Sequence, residues 1–360
     1  MAQISKRIAI KVGSNVLTRK DGTLDVTRIS SLSDQLAQMM HDGYEVILIS
    51  SGAVAAGRSE LSDIPKLDAV QQRQLYSAVG QAKLINRYYE LFREHTIVVG
   101  QVLSTKESFG TRAHYLTQKG CINTMLMQGV LPIINENDTI SVSELMFTDN
   151  DELSGLVATM MDCQQLIILS NVDGIFTGDP AHVDTELLSI IDPTVDLSEY
   201  IQHGKSSFGR GGMLTKCQIS QKVADEGVEV IIANGTRSRI LLDLIQKPEE
   251  TPCTRFPASL HPASSVKKWI AHSDGFTKGV IIINESAEKK LMSSQAVSLL
   301  PVGCLAIEGT FKKNDIVEIR NEEGLLIGIG KIQYDRKKAQ SVLGKKGMRP
   351  YIHYNYLYIE

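Results

Sequence analysis

Six short apolar runs rich in Val and Ile recur at 8–12, 45–50, 96–102, 130–135, 165–170 and 228–233. Five to seven residues is strand length, and β-branched side chains favour strands. Between the first two runs, Val26, Ile29, Leu32, Leu36, Met39 and Met40 return at steps of three and four before Gly43, the pattern of an amphipathic helix. Leu153, Leu156, Val157, Met160 and Met161 repeat it. Strands that alternate with helices need right-handed crossovers. The sequence therefore predicts an α/β fold, a three-layer α/β/α sandwich around a mostly parallel sheet covered on both faces.

At 360 residues the chain exceeds one ordinary domain. Past residue 245 the texture changes: PEETPCTRFPASLHPASSV, residues 248–266, carries four prolines and few long apolar side chains, as a connection does. Beyond it, short strand-like runs are separated by turn signals at Pro301-Val302-Gly303, Lys313-Asn314-Asp315 and Asn321 to Gly324. The predicted organisation is a first domain over 1–255, a linker over 256–274 and a small β-barrel over 275–360.

A net charge of -3 from 38 basic and 41 acidic residues gives no overall pull toward nucleic acid or membrane. The five cysteines are scattered and form no CxxC pair, so neither a disulfide framework nor a zinc site is expected and a reducing cytosol suits the chain. The first apolar run is cut by Lys11 after three residues, so neither a signal peptide nor a membrane-spanning helix fits the start.

IAIKVGSNVL, residues 8–17, places Lys11 inside a strand that ends in Gly13 and Ser14. Two readings are open: Lys11 snorkels its charge out at a sheet edge, or it faces a ligand at the carboxyl end of the sheet, where open α/β sheets bind ligands. ISSGAVAAG, residues 49–57, ends the second run at Ser51 and Gly52 and opens a helix with small residues. That arrangement suits either close helix–sheet packing or an anion at the helix N-terminus.

INENDTISVSELMFTDNDELSG, residues 134–155, sets Asn135, Glu136, Asn137 and Asp138 straight after a strand, and Asp149, Asn150 and Asp151 before a helix. One of Asp149 and Asp151 serves as a helix cap on the structural reading. Capping explains one residue of seven. Asn side chains donate and accept, which suits an amino acid's ammonium and carboxylate together, while a carboxylate such as Asp138 pairs with the ammonium alone. ILSNVDGIFTGDP, residues 168–180, and FGRGGMLTK, residues 208–216, add turn-rich loops after later strands, and Lys216 supplies a second cation. No Walker A motif is present. Two lysines at strand-end loops suit phosphoryl transfer, where fixed positive charge holds the phosphoryl oxygens.

With those segments in this order and spacing, the sequence resembles the amino acid kinase family, in its glutamate 5-kinase form, over nearly the whole chain. The resemblance implies an ATP-dependent phosphotransferase that phosphorylates the γ-carboxylate of L-glutamate to γ-glutamyl 5-phosphate, the first step of proline biosynthesis, in the cytoplasm. It implies that Lys11, with Gly13 and Ser14, meets the ATP phosphates and the transferring phosphoryl group, that Lys216 stabilises the same charge from the nucleotide side, and that Asp151 holds both lysines. Ser51, Gly52, Asn135, Asp138 and Asn150 are implied to bind glutamate. Ser170, Asn171 and the loop Arg210, Gly211, Gly212, Met213, Leu214, Thr215 and Lys216 are implied to bind the nucleotide, with Mg2+ carried by the ATP phosphates rather than by a protein metal site. Proline feedback inhibition and homo-oligomers, dimers or tetramers, are implied as well.

Three segments depart from the family's usual form: Ser170-Asn171 where Thr-Asp or Ser-Asp is common, Arg210 where Thr is commoner, and residues 109–125 in the presumed region of glutamate and proline control. The C-terminal segment resembles a PUA domain but ends IHYNYLYIE instead of the usual IHRDN-like form. Arg336, Lys337, Lys338, Lys345, Lys346 and Arg349, near Tyr351, Tyr354 and Tyr356, form a basic stretch read either as an RNA-binding surface or, with greater weight, as a solvated face. No dehydrogenase segment follows the kinase segment, so a bifunctional enzyme that also reduces the acyl phosphate is not expected. The competing readings are an inactive kinase that binds RNA and a kinase of another amino acid or a nucleotide.

Overall fold

The computed structural model describes residues 6–61, 67–141, 147, 149–178, 185–192, 213–260, 270, 277–293 and 297–359. The chain forms two compact units, one of residues 1–106 and 117–262 and one of residues 107–116 and 263–360.

The first unit is built on a seven-stranded sheet: β1 (Arg7–Val12), β2 (Glu45–Ser50), β3 (Val99–Ser104), β4 (Leu131–Glu136), β5 (Gln165–Ser170), β6 (Glu229–Asn234) and β7 (Cys253–Phe256), in the spatial order β3-β4-β2-β1-β5-β6-β7. Every neighbouring pair is parallel except β6 and β7. The chain leaves β1 toward β2 on one side and β5 toward β6 on the other, so the order reverses between β1 and β5. A crevice opens at the carboxyl ends of two such strands.

Both faces of the central strands are buried, which explains their nearly unbroken apolar runs. Helix α1 (Ser14–Leu17) follows β1 directly, and α2 (Val26–His41), capped by Asp25, lays Ile29, Leu32, Leu36 and Met39 into the core. Helix α3 (Ala53–Arg58) follows β2 and packs on the long α4 (Ala69–Glu94), which opens with an Asp68/Gln71 capping box. Helix α5 (Glu107–Gly110) and the first residues of α6 (Arg112–Met127) belong to the second unit, while the rest of α6, α7 (Asn150–Met160), α8 (Met213–Asp225) and α9 (Ile240–Gln246) complete the first.

Two strands differ from the sequence expectation. The third run was predicted at 96–102, whereas the strand is Val99–Ser104. Helix α4 extends to Glu94, and the chain turns through Thr96 in a left-handed conformation, φ 58°, before it can extend. The short β7 lies inside the proline-rich stretch read as a connection and crosses the predicted boundary at 255. Edge placement tolerates its neighbouring prolines, and an Arg255–Glu229 ion pair at 3.1 Å ties it to β6.

In the second unit, β8 (Gly279–Ile283), β9 (Cys304–Gly309), β10 (Ile316–Arg320), β11 (Leu326–Lys331) and β12 (Leu357–Ile359) form one sheet in the order β12-β11-β10-β8-β9. Helices α10 (Glu285–Leu291) and α11 (Arg336–Val342) accompany it. Each predicted turn has a local cause: Pro301–Gly303 is a 3-10 turn, Asn314 takes a left-handed φ of 77°, and the Asn321 side chain accepts from the N–H groups of Glu323 and Leu325. Tyr351, grouped by sequence with the basic stretch, is instead fully buried, its hydroxyl donating to the Ala339 carbonyl at 2.6 Å. Among the described residues no helix is long and apolar enough to cross a membrane.

Candidate active site

Strand β1 runs between β2 and β5, with Lys11 in register with Ile49 and Ile168. The β1 residues on either side of Lys11 fill the core, so its side chain leaves the sheet at a buried position near the carboxyl end. There its Nζ meets Asp151 Oδ1 at 2.5 Å. Lys216 Nζ, from the first turn of α8, reaches the other oxygen, Oδ2, at 2.9 Å. The edge-snorkel reading of Lys11 is thereby excluded. Two residues 205 positions apart in sequence converge on one carboxylate.

Asp151 is almost wholly buried, and burial alone would raise its carboxyl. The charges of Lys11 and Lys216 outweigh that and hold it below its usual range. The neighbouring Asp149 is the N-cap of α7, its side chain accepting from the N–H groups of Asp151 and Glu152 at 2.9 and 3.1 Å. Burial, and then the charge of Asp151, push the Asp149 carboxyl up to about 6.

Beside this pair lies a polar cluster from two strand ends and the start of α7. Asn150 Nδ2 donates to Ser51 Oγ at 2.8 Å and to Asn135 Oδ1 at 3.0 Å. Asn135 Nδ2 in turn donates to Gln81 Oε1 at 2.8 Å. Gly52, next to Ser51, caps α3 with a left-handed φ of 104°, which a residue with a Cβ adopts only under strain. Asp138 follows three residues after Asn135, and Arg73 of α4 donates through one nitrogen, Nη2, to Asp138 Oδ1 and to Glu136 Oε2, the latter at 3.0 Å. Burial and the Asp138 charge push the Glu136 carboxyl up, and Arg73 opposes them.

On the other side of β1, the Gly13 N–H donates to the Leu169 carbonyl at 3.2 Å, joining the ends of β1 and β5 at the reversal point. A Cβ at Gly13 would lie 3.2 Å from that carbonyl oxygen, a tight contact, and 3.5 Å from Lys11 Nζ, an ordinary one. Ser14 is exposed at the start of α1, Ser170 is buried at the end of β5, and Asn171 is exposed just beyond it. Two loops meet here: Gly235 N–H donates to the Ser170 carbonyl at 2.8 Å, and Arg237 grips Asp173 through two bonds of 2.7 and 2.6 Å.

Of the residues singled out in the sequence, the structure brings Lys11, Asp151 and Lys216 into one group and Ser51, Asn135 and Asn150 into another, with Gly52 adjoining the latter in the chain. Met213, Leu214 and Thr215 open α8 ahead of Lys216, and Leu214 is exposed. Arg210, Gly211 and Gly212 lie outside the described residues. Arg73, Gln81 and Arg237 were not singled out, because polar residues on a helix or loop read as solvated surface until their partners are known.

The arrangement can hold a polyanion at the lysines and glycine turn, and a small zwitterion at the adjacent amide and carboxylate cluster. Residues 6–234 match the Amino acid kinase family and residues 279–351 match the PUA domain. The chain is 63% identical over 360 residues to the glutamate 5-kinase of Bacteroides thetaiotaomicron, covering all of both chains. It is 46% identical over 358 residues to the glutamate 5-kinase of Chlorobaculum tepidum, covering 99% of this chain and 98% of that one. Among solved structures, carbamate kinase from Giardia lamblia bound to AMP-PNP superposes with a TM-score of 0.51 at 17% identity, covering 71% of this chain and 99% of that one, a likeness of fold alone.

Proposed function

We infer the reaction from the premise that the chain belongs to the amino acid kinase family, in its glutamate 5-kinase group, with a PUA domain after the kinase segment. It phosphorylates the γ-carboxylate of L-glutamate with ATP, giving γ-glutamyl 5-phosphate, the first step of proline biosynthesis. The observation that supports the reading most is the sharing of Asp151 by Lys11 and Lys216 beside the Ser51–Asn135–Asn150 cluster.

The γ-carboxylate is ionised at neutral pH and is itself the nucleophile, so no protein base is required. It attacks the γ-phosphorus in line, and the chain's task is positioning and charge stabilisation. Lys11 and Lys216 face the charge that spreads over the phosphoryl oxygens, and Asp151 keeps both ammonium groups aimed. Gly13 and Ser14 admit the phosphates next to the backbone. Ser170, Asn171 and the segment from Arg210 to Lys216 hold the nucleotide. Ser51, Gly52, Asn135, Asp138 and Asn150 hold glutamate, with Asp138 taking the ammonium group. Mg2+ carried by the ATP phosphates would supply further charge neutralisation beside Lys11 and Lys216.

Inhibition by L-proline, assembly into homodimers or tetramers and a cytoplasmic location belong to the same reading. The test is a hydroxamate assay with ATP and Mg2+, offering glutamate, aspartate and acetylglutamate in parallel, with uridylate followed by ADP release because its product is a phosphoanhydride and not an acyl phosphate. Hydroxylamine traps an acyl phosphate as it forms. Signal with glutamate alone is the expected result; a preference for another acceptor, or no signal with any, overturns the assignment.

A further inference from the structure

Asp138 is assigned above to the ammonium group of glutamate, yet the structure shows it already engaged by a cation. Arg73 Nη2 donates to its Oδ1 and, at 3.0 Å, to Glu136 Oε2. All three side chains are at least four-fifths buried. Among the described residues, Arg73 is the one hydrogen-bond partner of Asp138, so its second oxygen, Oδ2, is left to accept from a ligand.

The neighbouring geometry holds this arrangement still. Gln74, next to Arg73 on α4, donates to the Thr139 carbonyl at 2.7 Å, and Gln81, two turns on, accepts from Asn135 at 2.8 Å. One helix therefore grips residues 135, 138 and 139 of the acceptor segment. Glu136 takes its other bond from the Phe147 N–H, 3.1 Å from Oε1.

We propose that Arg73 is a positioning and selectivity residue for the acceptor: by holding Oδ1 of Asp138 it orients the other oxygen to receive the α-ammonium group of the amino acid. The inference rests on the glutamate reading and deepens it. Among the described residues, the charged groups that act on Glu136 are Asp138, which pushes its carboxyl up, and Arg73, which opposes that.

The experiment compares L-glutamate with glutarate, the same diacid without its amino group, in the wild type, Arg73→Met and Arg73→Lys. Wild-type turnover of glutamate tests the reaction itself and is scored separately. If Arg73 acts through the ammonium contact, the ratio of kcat/KM for glutamate to that for glutarate falls tenfold or more in Arg73→Met. KM for ATP stays within twofold, and Arg73→Lys recovers part of the ratio. A structural role alone lowers both substrates together and leaves the ratio unchanged, which would overturn the proposal. If Arg73→Met is insoluble, the ratio in Arg73→Lys decides: a threefold fall supports the proposal and an unchanged ratio contradicts it.

Discussion

Gly80 of α4 lies so close to Ala53 of α3 that a Cβ on Gly80 would stand 1.8 Å from the Ala53 carbonyl oxygen. The contact is reciprocated one turn on, where a Cβ on Gly57 would stand 1.9 Å from the Tyr76 carbonyl oxygen. Helix α3 begins directly after Ser51-Gly52, while α4 carries Arg73 and Gln81, so this crossing sets the distance between two walls of the proposed acceptor site.

Gly80→Ala should therefore act on stability and site together. Neither contacted atom belongs to a flexible side chain, so the helices must separate, at a cost of about 1–3 kcal/mol. Urea denaturation should show a lower midpoint with an unchanged slope, and KM for glutamate should rise more than KM for ATP. A variant as stable as the wild type would contradict the crossing described here.

Asp151→Asn removes the counter-charge from two lysines at once. Breaking one partner out of a buried ion pair costs about 3–5 kcal/mol, because the remaining charge is left uncompensated. Turnover should fall by about 100-fold or more, since both ammonium groups lose their aim. Denaturation and steady-state kinetics on the same preparation check both. Loss of stability with kcat retained would reduce Asp151 to a structural role.

Asp149 makes a prediction of opposite sign. Its carboxyl, pushed up to about 6 from 3.8, favours the fold when protonated, and that contribution is lost as pH rises from about 4 through 6. Asp149→Asn keeps an oxygen for the α7 cap and removes the titration. Measured by denaturation, the variant should gain on the wild type by about 1–3 kcal/mol between pH 4 and pH 7. A difference that does not change with pH would show that Asp149 ionises normally.

Asn150→Ala removes the donor that ties Ser51 to Asn135. It leaves the Asp149 cap in place, because the backbone N–H groups are the donors there. KM for glutamate should rise about 10-fold or more with KM for ATP little changed, as expected when a hydrogen bond of about 1–3 kcal/mol is lost from one substrate's site. Equal changes in both constants would place Asn150 outside the acceptor site.

Much of this was legible in the chain. A buried strand shows as an apolar run, and an amphipathic helix as a three- and four-residue step, so β1, β2, β4, β5, β6, α2 and α7 stood at or within a few residues of their observed positions. Strand β7 did not, because four residues between prolines carry too little pattern. Lys11 was visible as a charge where burial was expected, whereas Asp151 stood as one of two candidate caps before α7, and the structure gives the cap to Asp149. Arg73, by contrast, sits among Gln and Ser in AVQQRQLYSAVGQ on a long helix, and only the return of the chain at Glu136 and Asp138 reveals its role. Tyr351 misled in the other direction: a tyrosine near lysines and arginines looks like a surface, but it fills the core of the second unit.

The central claim is that Lys11, held by Asp151, faces the transferring phosphoryl group. It is tested most directly by kcat for hydroxamate formation from glutamate, ATP and Mg2+ with wild type and Lys11→Ala, both substrates saturating. The account predicts a loss of about 100-fold or more in kcat, with KM for glutamate changed far less. A Lys11→Ala enzyme that turns over within a few-fold of the wild type would contradict it and return the lysine to the role of a buried charge with no part in the reaction.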